Sequence, residues 1–144
     1  MVLLNFCLLM FVNLDIDYMG LELKYKDVTQ QIIGASFEVH KVLGRGFREV
    51  IYHRALTYEF QAAGLIFDKE KLCSIYYKDL AGPIGSQVAD FIVEEKVLVE
   101  IKAVAEIDDG HIAQTLNYLK VFKLEVGLLV NFGENSLKFK RLVL

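Results

Sequence analysis

Three residues of this chain, Asp90, Glu100 and Lys102, have the types and the spacing to handle charge on a phosphate. Side chains alternate across a strand, so a strand from Gln87 to Val93 puts Ala89, Phe91 and Val93 on one face and Asp90 on the other. A strand from Val97 to Ala103 likewise sets Val97, Val99, Ile101 and Ala103 against Glu100 and Lys102. For the two apolar faces to align in a hairpin, the loop must hold an odd number of residues. The three-residue loop Glu94-Glu95-Lys96 pairs Phe91 with Val99 and sets Asp90 across from Glu100. Carboxylates directly opposed in a sheet repel. A divalent cation would relieve them, and Mg²⁺ commonly takes one or two carboxylates while keeping several waters. The Ile101 carbonyl is a further oxygen at hand. Lys102, the next position on the same face, can orient a water or stabilise developing charge. The chemistry this set points to is metal-assisted hydrolysis of a phosphodiester.

Helices and turns must hold these strands in place. Thr29 to Leu43 is expected to be a helix, with Thr29 as its cap, Ile32, Ile33, Phe37 and Leu43 at helical spacing, and Gly44 at its stop. The turn Gly44-Arg45-Gly46 leads to a second helix, from about Arg48 to Ala63, ended by Gly64. Leu65 to Asp68 and Leu72 to Tyr77 are expected as two strands, with Ala81 to Gly85 as a turn. After the hairpin come a helix from Asp109 to Phe122 capped by Asp109, a buried strand within Leu124 to Phe132, and an edge strand within Leu137 to Val143. The order α-α-β-β-β-β-α-β-β predicts an α/β sandwich around a mixed central sheet.

Composition narrows the classes. A chain of 144 residues that is 54% hydrophobic and has one proline is long enough for one packed domain, and it does not have the composition of a disordered one. Its formal charge of -3 argues against coating nucleic acid through bulk electrostatics, which needs many cations. Any such affinity must come from local geometry, an ion or a partner subunit. Cys7 and Cys73 cannot make a disulfide framework and read as buried thiols in a reducing, cytoplasmic setting. Residues 1–18 form an apolar extension and 19–144 the domain. The apolar run, Met1 to Leu14, lacks a basic flank and a cleavage site, and falls short of the roughly 20 residues that span a bilayer. It reads as an element packed on the domain, as a homo-oligomer contact, or as an extension upstream of a start at Met19, with membrane anchoring the least favoured.

The segment Asp90…Glu100-Ile101-Lys102, a D-x(n)-E-x-K on adjacent strands, resembles the PD-(D/E)XK nuclease superfamily. Gly46-Phe47-Arg48-Glu49-Val50-Ile51-Tyr52 reads G-x-x-E-x-x-Y, the signature of the GxxExxY family within it. Gln114-Thr115-Leu116-Asn117-Tyr118 looks like the Q-x-x-x-Y of the RecB-like branch, and Leu128 to Gly133 like the family's closing strand. Ala89 stands where the superfamily's name motif has Pro. The resemblance covers about Lys24 to Leu142. It implies a restriction-endonuclease-like core and nuclease activity on DNA, with RNA not excluded, using Mg²⁺ or Mn²⁺. It also implies that Glu49 joins Asp90 and Glu100 at the metal and that Gln114 stands near the scissile phosphate.

Each of these residues has a plainer reading. Glu100 and Lys102 could be a solvated ion pair, and Glu49 an ordinary first-turn acid. Gln114 and Tyr118 could be a polar helix stripe, and Tyr52 a core aromatic with a satisfied hydroxyl. Lys41, Arg45, Arg48 and Arg54 gather around the first inter-helix turn, as a solvated face or as a phosphate-contacting rim; Arg45, Arg48 and Tyr118 are the substrate-binding candidates. The three histidines make no pair at metal-ligand spacing, and His111 is the one expected nearest the site. A nuclease fold that has lost catalysis and serves as a binding or assembly module is the alternative. The patterned domain from Lys24 onward has enough elements to close a core, so deleting residues 1–18 should leave thermal stability intact. A large drop in melting temperature would show instead that Phe6, Leu9 and Phe11 belong to the core.

Overall fold

The computed structural model describes residues 23–144, and the expectations for residues 1–18 and for Cys7 lie outside the described residues. Two helices come first, α1 (Lys26–Leu43) and α2 (Glu49–Ala62). Three strands follow: β1 (Phe67–Ile75), β2 (Gly85–Val93) and β3 (Val97–Lys102). Helix α3 (Asp109–Phe122) then leads to β4 (Val126–Asn131) and β5 (Lys138–Val143). The strands form one mixed sheet in the order β1-β2-β3-β4-β5, parallel only where β3 meets β4. That parallel pair needs a crossover, and α3 makes it. No helix among the described residues is long and apolar enough to cross a membrane.

Alternation along β3 builds both layers of the core. Val97, Val99 and Ile101 pack with Ile32 and Val39 of α1 and Tyr52, Leu56 and Phe60 of α2. Leu98 faces the other way and packs with Leu119 of α3. Glu100 and Lys102 share the parity of Leu98. The hairpin has the expected register, Phe91 opposite Val99 and Val93 opposite Val97, around the loop Glu94 to Lys96.

Several expectations need correction. The sheet has five strands in place of six, because Leu65 to Asp68 and Leu72 to Tyr77 are parts of one strand, β1, joined through the charged run Asp68-Lys69-Glu70-Lys71. As an edge strand with a solvated face, β1 needs no apolar alternation through its middle. Helix α1 begins at Lys26, after Tyr25 in a left-handed conformation (φ 59°). Thr29 is therefore inside the helix, and its hydroxyl donates to the Lys26 carbonyl at 3.0 Å. Asp108, not Asp109, caps α3: its side chain accepts from the His111 N–H at 2.9 Å while His111 Nδ1 accepts from the Asp108 N–H at 3.0 Å. Ala89 packs on the α3 side and not beside Phe91. The change of face falls at Asp90, where β1 pairs Lys69 with Phe91 and Lys71 with Ala89 but not Glu70 with Asp90.

The C-terminal ends of β3 and β4 are tied by one buried amide. Asn131 Oδ1 accepts from the N–H groups of Val104 (3.0 Å) and Gly133 (3.1 Å). Its Nδ2 donates to the Val104 carbonyl and to Glu134, each at 2.9 Å. Gly133 lies so close to this strand end that a Cβ there would stand 2.2 Å from the Val104 carbonyl oxygen. Asn131→Ala would leave buried main-chain groups without partners and should cost on the order of 2–3 kcal/mol. Urea denaturation measures it; a loss below about 0.5 kcal/mol would mean that water replaces the amide without penalty.

Candidate active site

The three β2–β3 register pairs run from Val93 with Val97 to Phe91 with Val99, and beyond them carboxyl groups take over the main-chain hydrogen bonding. Asp90 Oδ2 accepts from the Ile101 N–H at 2.8 Å, and Glu100 Oε1 accepts from the Asp90 N–H at 3.2 Å. The Asp90 carbonyl is met by His53 Nε2 at 3.2 Å. A carbonyl can only accept, so this nitrogen carries the ring proton. The His53 ring stacks on Phe91 with centroids 4.3 Å apart. Asp90 is thus held at its N–H, its carbonyl and its carboxylate.

Glu100 is only 5% exposed, so its charge is poorly solvated. Burial first, and then the charge of Asp90, push its pKa up to about 8, and Glu49 adds to the rise. Burial also raises Asp90, against the lowering effects of the Ile101 N–H, His53, Lys102 and a hydrogen bond shared with Glu100. The two carboxyl groups are therefore close enough to share a proton. In the same sense, a site that keeps a proton between two carboxyls is one that a cation can occupy in its place.

Helix α3 addresses this pair from across the fork. Lys102 Nζ donates to Gln114 Oε1 at 3.0 Å, which holds the ammonium over its own strand. One turn on, Tyr118 has its phenol pKa raised by burial and then by the negative charges of Glu100 and Asp90. The structure thus brings Asp90, Glu100, Lys102, Gln114 and Tyr118 together, with Glu49 acting on Glu100 through its charge. Arg45 and Arg48 are exposed in the turn before α2, with no hydrogen bond or ion pair to the acid pair among the described residues. His111 is committed to the α3 cap, and His53 is the histidine that reaches Asp90. His53 was missed because its signal, four residues after Glu49 on the same helix, makes no metal-ligand pair in the sequence.

The G-x-x-E-x-x-Y segment works as a holder for Glu49. Gly46 has φ 109°, a conformation open to glycine and strained for other residues. Tyr52 donates its hydroxyl to the Gly44 carbonyl at 2.7 Å and accepts from the Phe47 N–H at 3.2 Å. Its ring is fully buried against Phe132, with centroids 4.7 Å apart. The turn is pinned, and the first residue of α2 is Glu49.

Among the described residues, no group of three or more His, Cys, Asp or Glu side chains forms a closed metal cage. The protein offers two crowded, desolvated carboxylates instead, a donor set that fits a hard ion retaining most of its waters. Asp90 and Glu100 would hold such an ion, which when bound acts as a Lewis acid on a phosphate and on water.

A five-stranded mixed sheet covered by helices, with an acid pair at a strand fork and a lysine beside it, defines a nuclease-type α/β core. The model of the PD-(D/E)XK nuclease superfamily matches residues 26–142, and the chain belongs to that superfamily. Nucleases of this superfamily generally use divalent metal ions. A search of curated protein sequences finds no match. Among solved structures, the crystal structure of SSO0001 is similar at TM-score 0.51 and 18% identity, over 83% of this chain and 57% of that one. The chain thus spans little more than half of that protein, and the likeness is one of fold. The alkaline exonuclease LHK-Exo from Laribacter hongkongensis aligns at TM-score 0.44 and 12% identity, over 80% of this chain and 81% of that one.

Glu100 sets a pH dependence whose sign follows from its raised value. Its folded pKa of about 8 exceeds the ordinary 4.5, so the folded state binds the extra proton between those values. Its contribution to stability is present at low pH and is lost as pH climbs from about 4.5 through about 8. Mg²⁺ must displace that proton at pH 6 and meets an ionised carboxylate at pH 9. The rise in melting temperature on adding Mg²⁺ should therefore be larger at pH 9. An equal rise at both values would show that Glu100 takes no part in binding the ion.

Proposed function

We propose that this chain is a divalent-metal-dependent nuclease that hydrolyses phosphodiester bonds, in DNA ahead of RNA, with Mg²⁺ or Mn²⁺. The observation that carries the reading is the mutually repelling pair of half-buried Asp90 and buried Glu100, with Lys102 held beside it, on a chain of this superfamily. Asp90 and Glu100 are assigned to the metal, with Glu49 adding negative charge next to Glu100. The G-x-x-E-x-x-Y segment supports placement in the GxxExxY family.

Each side chain has a part in the displacement. Water oxygen attacks phosphorus, the bond to the leaving oxygen breaks, and the products are a phosphate monoester and a free hydroxyl. Lys102, steadied by Gln114, orients the attacking water or meets the charge that grows on the phosphate oxygens. The Ile101 N–H fixes one Asp90 oxygen, so the carboxylate is turned correctly before substrate arrives. Tyr118, whose phenol stays protonated at neutral pH, is a hydrogen-bond donor for a phosphate oxygen.

Cleavage of single- and double-stranded DNA and RNA with Mg²⁺ or Mn²⁺ tests the reading. Wild type should cleave and chelation should stop it. Asp90→Asn should abolish both cleavage and the Mg²⁺-dependent rise in melting temperature. Lys102→Ala should keep the thermal shift while cleavage falls by about 10²-fold or more. Neither cleavage nor a thermal shift in the wild type would leave the binding-module reading in its place.

A further inference from the structure

A cavity of about 280 Å³ opens between α2 and β1. Its helical wall is Val50, His53, Arg54 and Thr57, spaced as one face of a helix, and its strand wall is Lys69 and Glu70. Two contacts join it to the candidate active site. His53 lines the cavity while its ring donates to the Asp90 carbonyl. Lys69 is the register partner of Phe91, the residue after Asp90.

The charges around this space are unevenly committed. Lys71 is paired with Asp68, and Lys102 is held by Gln114. Arg54 and Lys69 are exposed and have no ion pair or hydrogen bond among the described residues. Glu70 is the one carboxylate in the lining. Thr57 spends its hydroxyl proton on the His53 carbonyl at 2.9 Å, so the outward donors are the guanidinium and the ammonium. With one free cation on each wall, Arg54 on the helix and Lys69 on the strand, against the single carboxylate of Glu70, the cleft offers a site for an anion, and a fork-shaped guanidinium opposite a point charge suits a phosphate. The volume exceeds what a phosphate fills and leaves room for its sugar, with Val50 as the apolar contact.

We propose that this cavity is a second phosphate subsite, which grips the nucleic-acid strand next to the bond to be cut. The proposal rests on the nucleic-acid reading above, and adds where the strand is held. On a chain of net charge -3 such a built site would do what bulk electrostatics cannot. The ligand chemistry is a phosphate, presented either as a backbone diester or as a terminal monoester.

The test is fluorescence anisotropy in EDTA, where nothing is cut, with single-stranded DNA oligonucleotides bearing a 5′-phosphate, a 3′-phosphate or neither. Arg54→Gln/Lys69→Gln should weaken binding by about tenfold or more. Its log-affinity against log-salt slope should flatten by about 0.7, the share of one phosphate contact on a single strand. Glu70→Gln should tighten binding. Lys138→Gln/Lys140→Gln, which removes two charges from β5, controls for general electrostatics, and thermal melts confirm that every variant folds. A loss confined to one phosphorylated probe assigns a terminal monoester, and a loss on all three assigns a backbone diester. Equal losses in the cavity and control variants overturn the subsite, as does a wild type that binds no probe. Cleavage with Mg²⁺ separates this proposal from the one it rests on. A wild type that binds through Arg54 and Lys69 but never cuts keeps the subsite and loses the nuclease. One that cuts, with KM unchanged in the cavity variant, does the reverse.

Discussion

Between β2 and β3 two carboxyl groups stand in for a stretch of sheet. Past the pairing of Phe91 with Val99, the Ile101 N–H goes to the Asp90 side chain and the Asp90 N–H to the Glu100 side chain. Strands that part in a protein interior leave main-chain groups needing partners, and these acids provide them without filling the gap with apolar side chains. The same substitution forces two like charges into a poorly solvated space. That burial first, and then their repulsion, raise the pKa of Glu100. Stability and chemistry are thus set against each other at one point: the acids are needed for hydrogen bonding, and their charge is tolerable only when shared with a proton or a cation.

The rest of the fold braces this fork from several directions. His53 takes up the Asp90 carbonyl from α2, and the pinned turn before that helix fixes where Glu49 begins. From α3, Gln114 holds the Lys102 ammonium. At the far end of β3, the Asn131 amide joins Val104 to Gly133, and the Phe132 N–H donates to the Lys102 carbonyl at 2.8 Å. Lys102 is therefore restrained through its main chain by β4 and through its side chain by α3. These contacts come from parts of the chain far apart in sequence, so the site forms only when the whole sheet has formed.

The hairpin was legible in the sequence because two alternating strands and an odd loop leave a single register that buries both apolar faces. The nearly continuous apolar run of β4 and the glycine stops of the first two helices were legible for equally local reasons. What escaped was set by tertiary context. The middle of β1 carries no apolar alternation, since an edge strand is held by its ladder to β2 and not by burial of both faces. The start of α1 lies at Lys26 after a left-handed tyrosine, which no capping residue announces. His53 and Asn131 look unremarkable in a sequence, because what they do depends on main-chain atoms that folding brings to them. Tyr52 is the opposite case: its hydroxyl answers a turn only a few residues away.

The charged run in β1 bears on how such a protein survives in a crowded solution. A strand at the rim of the described sheet exposes unpaired N–H and C=O groups to any extended chain that drifts past. Asp68, Lys69, Glu70 and Lys71 alternate in sign along that rim, and Glu70 sits at φ 51°, away from extended geometry. A second chain laid along it would have to strip water from four charges and match a backbone that is not straight. The segment that hid the strand from a hydrophobic reading is the one that keeps the open side of the sheet from templating aggregation.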